Sequence, residues 1–329
     1  MSEARLIVAP APFYHCGNST RNIMLDFCVA LLPAAAVGFM RFGSRVLAVL
    51  AICVAAAVLS EFLAQKATKR PCTLGDFNVV YLGLLFGMLM PPTAPLWLPV
   101  VGVVFAVLIG KHFFGGIGTN PFNPVLLGWV VVNLSWGQET SMWVHPGANL
   151  ATGMAAYAEA PLEVLHKFGN AFVADISTMD LLAGNVPGNI GVCAGAVLLG
   201  GLYLVARRRV SWIIPACFLI GIAGFATLAQ SMGWGDASRM ASPVFHLLAG
   251  STMLGAFFLS TDYSASPCTL AGKVIFGLAC GVMVMLIRIF GVWPDGVVLA
   301  IFVMSLLNPI LDRIRPRVFG MTKEVRANA

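Results

Sequence analysis

One long polar stretch, residues 136–189, separates two groups of apolar segments and constrains what this chain can fold into. Charged residues are scattered along it among glycines and asparagines, so a lipid bilayer cannot hold it. A membrane-spanning helix needs about 20 apolar residues, and ten segments approach or reach that length. They cover residues 23–40, 46–64, 77–90, 96–110, 124–134, 190–206, 212–229, 244–259, 274–289 and 297–311. Only 10% of the residues are charged, against about a quarter in a soluble domain.

These segments predict an all-α, polytopic integral membrane protein with about ten transmembrane helices and one long loop. The predicted regions are an N-terminal segment (1–22), helices one to five (23–135), the loop (136–189), helices six to ten (190–311) and a basic tail (312–329). The N-terminal segment has no apolar stretch behind a basic start, so no cleavable signal peptide is predicted.

Five predicted helices lie on each side of the loop, so the two halves would run in opposite directions, as in inverted-repeat transporters. The Asn-Pro pairs at 123–124 and 308–309 speak against inversion, because both fall on the same side of the membrane. A repeat of two five-helix halves therefore stays open.

Positive charge predicts the orientation of these helices. Alternate loops fall into two groups, and fifteen of the 20 Lys and Arg residues lie in the group that contains both termini. The other group holds Arg41, Arg45, Lys167, Arg239 and Arg288. Because Lys and Arg accumulate on the cytoplasmic side, we predict cytoplasmic termini and an external loop 136–189. The net charge of +6 follows from this topology, and nucleic-acid binding is not predicted.

The eight cysteines and five histidines are dispersed along the chain. No two cysteines form a CxxC pair, and no histidines show ligand spacing. Zinc and iron–sulfur sites need clustered ligands, so neither is predicted. Most of the cysteines lie in apolar segments, where they pack as small apolar side chains.

Two carboxylates, Asp26 and Glu61, lie inside predicted spans. Intramembrane carboxylates are costly and usually functional, so both are candidate site residues. The alternatives are that Glu61 extends to Lys66 at the membrane surface, and that Asp26 pairs with Arg21 or Arg5.

A third carboxylate, Asp262, follows the eighth span in the sequence Ser-Thr-Asp-Tyr. It is a candidate site residue, and its alternative role is to cap a loop. His246, within the eighth span, is interpreted as a hydrogen-bonded core residue rather than a proton carrier.

The sequence Gly-Gly-Ile-Gly-Thr-Asn-Pro-Phe-Asn-Pro at 115–124 is a second candidate for chemistry. Glycines allow positive φ and a close backbone approach, and Asn before Pro is kept out of helix. Such a loop either re-enters the membrane and clamps something, or is a plain tight turn.

Four stretches, in order along the chain, resemble motifs of one family of membrane proteins. They are residues 9–14 with 21–24, 115–124, 182–191, and 258–267 with 272–273. The chain resembles the D subunits of Rnf complexes, which are related to the B subunits of the sodium-pumping NADH:quinone reductase. Val192 stands where the family usually has Glu. The long N-terminal extension of the quinone-reductase protein is not seen, which favours the Rnf branch.

The resemblance implies a membrane component of a redox-driven ion pump that moves electrons between ferredoxin and NAD and couples them to sodium or proton transport. It implies partner subunits A, B, C, E and G, a bacterial inner membrane, and ferredoxin and NAD contacts on other subunits. No catalytic residue is therefore expected in this chain, which would not be active alone. Asp262, Glu61 and Asp26 become ion-pathway candidates. The alternative function is a stand-alone secondary transporter without a redox cofactor.

The resemblance also implies FMN linked by a phosphoester to a threonine of the external loop, and a second, non-covalent flavin such as riboflavin. Residues 146–152 match the family's DGxSGAT attachment pattern at Gly147, Ala151 and Thr152 only. Thr152 is the predicted acceptor and Thr178 is the alternative, and a third possibility is that no flavin is attached. The apolar spacing of residues 154–168 predicts a helix packed on the membrane face and broken near Pro161. A helix that starts beside Thr152 would direct its positive dipole end at the phosphate.

Overall fold

The computed structural model describes residues 18–147, 157–173, 175–233 and 241–314. Within these ranges the regular secondary structure is helical, and the β-structure is one isolated antiparallel bridge between Val144 and Tyr157. The all-α prediction is confirmed for this part of the chain. Thr152, the N-terminal 17 residues and the basic tail from 315 onward lie outside the described residues.

Among the described residues, four helices are long and apolar enough to cross a membrane, and they indicate an integral membrane protein. They are α1 (Thr20–Phe42), α2 (Ser44–Ala67), α10 (Ile213–Met232) and α13 (Leu270–Phe290). Ser19 caps the start of α1, and its hydroxyl accepts a hydrogen bond from Asn22 N. Gly43, at φ 78°, lets the chain turn directly from α1 into α2.

The remaining helices are shorter than these four. They are α3 (Asn78–Met88), α4 (Trp97–Phe105), α5 (Pro124–Ser135), α6 (Gly137–Thr140), α7 (Pro161–Phe168), α8 (Thr178–Ala183), α9 (Ala194–Ala206), α11 (Pro243–Leu248), α12 (Thr252–Leu254), α14 (Val297–Ser305) and α15 (Asn308–Leu311). Two wide π-helical turns extend α4 and α12, at Ala106–His112 and Gly255–Leu259. One-turn 3-10 helices occur at Leu74–Asp76 and Asn170–Phe172.

The eighth predicted span, 244–259, is broken in the structure. Helix α11 ends at Leu248, Gly250 adopts φ 68°, and α12 starts at Thr252. Glycine reaches this conformation without strain, so the break is encoded locally even though the hydropathy of the segment is continuous. The break leaves main-chain carbonyl groups that must find other donors.

The two halves meet through equivalent helices. The first helices of the halves, α1 and α9, pack on each other, and so do the last, α5 and α14. Gly200 of α9 lies so close to the carbonyl of Ala30 that no side chain fits between them. Small residues allow membrane helices to approach this closely. This arrangement favours the two-halves interpretation.

The described parts of the long loop fold as an ordered layer against α11. Its apolar residues share a core with that helix, formed by Leu162, Leu165, Val173, Leu181, Val186 and Phe245. The helix predicted over 154–168 was expected to break near Pro161, and the break is confirmed, because residues 157–160 are not helical and α7 begins at Pro161. Proline at the first helical position explains this start. The predicted helix start beside Thr152 lies outside the described residues.

Candidate functional site

The two stretches singled out for chemistry, the 115–124 loop and the turn after the eighth span, meet in space. Together they form one polar cavity, here called the Asp262 cavity. It is lined by Met24, Asn78, Tyr81, Leu82, Lys111, Ile117, Gly118, Asn120, Asn123, Pro124, Val125, Asp262, Tyr263 and Ser264. The two stretches lie in different halves of the chain, so only the fold brings them together.

The carboxylate of Asp262 is the acidic group of this cavity. It accepts a hydrogen bond from the Ser264 hydroxyl at 3.1 Å and another from the Asn120 side chain. Burial raises the pKa of the Asp262 carboxyl to about 6, although these hydrogen bonds oppose the rise. Asp262 is therefore a proton-exchanging group near neutral pH as well as a candidate cation ligand.

The 115–124 loop is shaped by its glycines and asparagines. Gly115, Gly116 and Gly118 all adopt positive φ, which residues with a side chain adopt only at a cost. The Asn123 side chain accepts from Val125 N at 3.0 Å and starts α5, with Pro124 at its first position. The Asn120 amide donates to Phe122 O at 2.8 Å. The loop is therefore more than a tight turn, because it supplies a wall of the cavity.

Glu61 lies in a buried charge cluster behind this cavity. Lys111 Nζ donates to Glu61 Oε1 at 2.8 Å, and His112 Nε2 lies 2.8 Å from Oε2. Gln65 adds a third contact, from Nε2 to Oε1, at 2.7 Å. The predicted alternative of an extension to Lys66 is wrong, since Lys66 lies instead over the Phe62 ring.

The π-helical turn that extends α4 explains how neighbouring residues reach one carboxylate. Successive side chains of an α-helix diverge by about 100°, whereas Lys111 and His112 contact the two oxygens of the same Glu61. Such turns are frequent at functional sites. Sequence reasoning missed both partners of Glu61, because they lie on a helix far from it along the chain.

Asp26 is fully engaged by basic groups. Its Oδ2 accepts from Arg209 Nε at 2.6 Å, and its Oδ1 accepts from the Tyr203 hydroxyl at 3.1 Å and from Arg207 at 3.5 Å. Its partners are thus not Arg21, whose guanidinium lies over the Phe77 ring at 5.4 Å.

The Asp26 cluster also touches the Asp262 turn. The Tyr263 hydroxyl donates a hydrogen bond to the main-chain carbonyl of Arg209, and the Tyr263 ring packs edge-on to Phe27 at 6.1 Å. Asp26 thereby holds the residue next to Asp262. This arrangement favours a positioning role for Asp26 over direct contact with an ion.

A second cavity, here called the tryptophan cavity, opens beneath the long loop. Its walls include Trp129, Trp143, Trp293, Asn133, Thr140, Glu163, Asn189, Ser251 and Asp295. Aromatic walls with a few polar groups are typical of binding sites for planar organic molecules.

The 182–191 block forms part of this cavity through its main chain. Ile190 N donates to Met90 O at 3.0 Å and Gly191 N donates to Met88 O at 2.8 Å. These bonds satisfy carbonyls at the end of α3, and Gly191 leaves room for Met88. Asn189 accepts from the Trp143 indole at 3.1 Å and fixes that ring.

A buried arginine, Arg288, holds the break in the eighth span. It donates to His246 O at 2.7 Å, to Thr252 Oγ1 at 2.7 Å and to Ala249 O at 3.4 Å, and it pairs with Asp295 at 3.1 Å. An arginine inside an apolar segment was the available sequence signal, although its partners are not deducible from spacing.

His246 lies next to this arginine. Its predicted burial is confirmed, and neither ring nitrogen has a hydrogen-bond partner among the described residues.

Thr178 is exposed at the start of α8, and the Ser177 hydroxyl before it accepts from the amides of Met179 and Asp180. The preferred acceptor, Thr152, lies outside the described residues, between Gly147 and Tyr157. Gly147 N donates to Arg41 O at 2.7 Å, and Ala158 N donates to Trp143 O at 3.0 Å. The main chain at Ala158 is therefore tied to Trp143, which lines the tryptophan cavity.

Comparison with known proteins gives one consistent result. The model of the NQR2, RnfD, RnfE family matches residues 7–320. The chain is 39% identical to the D subunit of the Na(+)-translocating ferredoxin:NAD(+) oxidoreductase complex of Acetobacterium woodii, over 98% of each chain. It is 35% identical to the D subunit of the ion-translocating oxidoreductase complex of Cronobacter sakazakii, over 95% of this chain and 98% of that one.

Proposed function

Because this chain belongs to the NQR2, RnfD, RnfE family, we propose that it is a membrane component of an ion-translocating ferredoxin:NAD oxidoreductase of the Rnf type. In this role it carries flavin and couples electron flow to sodium or proton translocation as part of a complex with subunits A, B, C, E and G. The chain lies in the bacterial inner membrane with cytoplasmic termini and an external long loop, as the charge distribution favours.

The observation that carries the ion-translocating part is the Asp262 cavity. A half-buried carboxylate lies there among asparagine, tyrosine and serine side chains, and oxygen atoms of these kinds are the ligands that hard cations prefer. Glu61 lies behind it with Lys111 as counter-ion. Asp262 is the primary ion ligand and Glu61 the secondary candidate, and Asp26 acts on the ion pathway by positioning the Asp262 turn.

The electron-carrying part rests on the tryptophan cavity. Thr152 is five residues along the chain from Gly147 and from Tyr157. The indole faces of Trp129, Trp143 and Trp293 fit a planar isoalloxazine ring, and Asn133, Thr140 and Ser251 offer hydrogen-bonding groups. FMN, when bound, supplies one- and two-electron transfer.

Thr152 provides the hydroxyl for the phosphoester in this proposal, and Thr178 is the alternative acceptor. A second, non-covalent flavin, riboflavin, belongs to the same proposal. The other candidate function is a secondary transporter without a redox cofactor, and the broken eighth span, a feature that transporters share, favours it.

Purification of the complex separates the two functions. After denaturing electrophoresis the chain should fluoresce under ultraviolet light, and peptide mapping should find the FMN mass on the peptide that contains Thr152. In sealed vesicles, reduced ferredoxin and NAD should drive sodium or proton movement. A colourless chain that transports an ion without electron donors would establish the secondary transporter instead.

A further inference from the structure

Lys111 occupies a position between two carboxylates that belong to different sites. Its ammonium group bonds Glu61 at 2.8 Å, while its side chain forms part of the wall of the Asp262 cavity. Only 3% of Lys111 is exposed. A buried ammonium in the wall of a cation cavity opposes the binding of another cation, because like charges repel more strongly where water is scarce.

The surroundings of Lys111 provide one direct attraction and one weaker one. Glu61 of α2 faces it directly and Asp76 of the 3-10 helix adds the weaker attraction. Asp262 lines the same cavity as Lys111. His112 shares the charge of Glu61 through the other carboxylate oxygen. Glu61 would therefore keep a partner if the lysine turned away. The flexible four-carbon stem of lysine permits such a turn.

We propose that Lys111 is a tethered competitor for the translocated monovalent cation. Its ammonium group weakens cation binding at Asp262 and keeps the site able to release its ion. This inference rests on the proposed ion translocation. Within that function, Lys111 sets the affinity of the Asp262 cavity for the cation.

Transport favours such a design, because an ion that binds too tightly does not leave. The structure explains why the competitor is a lysine in a π-helical turn. The turn places Lys111 and His112 on the two oxygens of Glu61. Lys111 can then repel a cation in the cavity while His112 keeps its contact with the Glu61 carboxylate.

The experiment uses the whole complex and sodium as the probe. The half-saturating sodium concentration of ferredoxin-driven transport and the dissociation constant of equilibrium ²²Na⁺ binding are measured for the wild type and for Lys111→Met. Removal of the positive charge should lower both values roughly tenfold, as expected for the loss of one like charge from the wall of a buried cation site. Lys111→Arg keeps the charge and should leave both values near wild type. Lys66→Met, at an exposed lysine in the last turn of α2, is the matched control and should change neither.

A double variant separates this role from a structural one. Glu61→Gln with Lys111→Met removes both members of the buried pair, which a fold tolerates better than the loss of one member. It should keep the lowered half-saturating concentration. If Lys111 only neutralises Glu61, the double variant returns to wild-type values and the inference is wrong.

Three further outcomes would overturn the inference, and they are distinguishable. Suppose that wild-type transport depends on sodium but both values are unchanged in Lys111→Met and in the double variant. This result refutes the role of Lys111 and leaves the proposed function standing. A wild-type complex with no sodium dependence refutes sodium as the translocated ion in the proposed function as well. Loss of assembly in both variants that carry Lys111→Met, with Lys111→Arg intact, would assign Lys111 a purely structural role.

Discussion

The hydroxyl of Tyr263 donates a hydrogen bond to the main-chain carbonyl of Arg209, the arginine whose guanidinium holds Asp26 at 2.6 Å. One residue thus connects the ion pair of the first span to the turn that carries Asp262. The two carboxylates lie in different halves of the sequence, yet a substitution at Asp26 should change the position of the Asp262 turn.

Removal of the charge at Asp262 should separate ion movement from flavin binding. Asp262→Asn is expected to lower ion-coupled transport in reconstituted vesicles at least roughly tenfold, because the cavity loses its anionic ligand and with it an attraction of that order. Flavin fluorescence should stay at the wild-type level. Glu139→Gln, on the side of the long loop, is the control and should leave transport intact. Unchanged transport in Asp262→Asn would remove Asp262 from the pathway and leave it a loop-capping role.

Transport should depend on pH through the same group. Since burial raises the pKa of Asp262 to about 6, protons compete with cations as the pH falls through 6. Below that value, the half-saturating sodium concentration should rise by up to about tenfold per pH unit. The measurement is transport against sodium concentration at a series of pH values on both sides of the pKa. Equal values throughout would show that Asp262 does not bind the ion.

The stability of the chain should respond to pH in the opposite sense to that of an ordinary surface aspartate. The pKa of Asp262 is raised in the folded state, so its contribution is fully present below the unfolded pKa of about 4. That contribution is lost as the pH rises through about 6. Asp262→Asn should therefore melt at a higher temperature than the wild type well above the folded pKa, and at the same temperature below the unfolded one. A lower melting temperature of the variant at alkaline pH would contradict this.

Loss of the Asp26 pair should destabilise the chain and disturb the cavity together. Asp26→Asn leaves Arg209 nearly buried without its anion, and breaking one side of a buried pair costs about 3–5 kcal/mol. Thermal unfolding in detergent should show the loss, and sodium affinity should fall in the fraction that remains folded. Asp175→Asn, at an exposed site on the long loop, should show neither effect. A stable Asp26→Asn chain with reduced transport would instead support direct ion contact.

Flavin attachment should depend on Thr152 and not on Thr178. Thr152→Val removes the only atom that can form the phosphoester at that position, so the fluorescent band of the denatured chain should vanish while the chain still inserts in the membrane. Thr178→Val is the matched change at the alternative acceptor and should keep the band. The reverse result would place the flavin on α8, where the exposed Thr178 hydroxyl is accessible.

Much of the fold follows from hydropathy, because a bilayer allows few solutions for an apolar chain. The long helices α1, α2, α10 and α13 lie within a few residues of the predicted spans. The break at Gly250 was not predicted, because a window of apolar residues carries no information on backbone direction. The break near Pro161, in contrast, was predicted from the proline itself, and α7 starts at that residue.

The candidate site was predicted in parts. Composition and motif drew attention to the 115–124 loop and to Asp262, and the structure joins them. The partners of Glu61 and Asp26 were not predicted, because Lys111 and Arg209 come from distant parts of the chain. Charges in a membrane interior must be paired, so the existence of partners was predictable while their identity was not.

The π-helical turn at Ala106–His112 limits which mutations the gene can tolerate. It corresponds to one residue more than an ordinary helix of the same length needs. A single-codon deletion here would restore α-helical winding and rotate everything downstream by about 100°. Lys111 and His112 would no longer share Glu61, and the glycine-rich loop would leave the cavity wall. We therefore expect that functional descendants of this gene tolerate substitutions in this turn more readily than a change in its length.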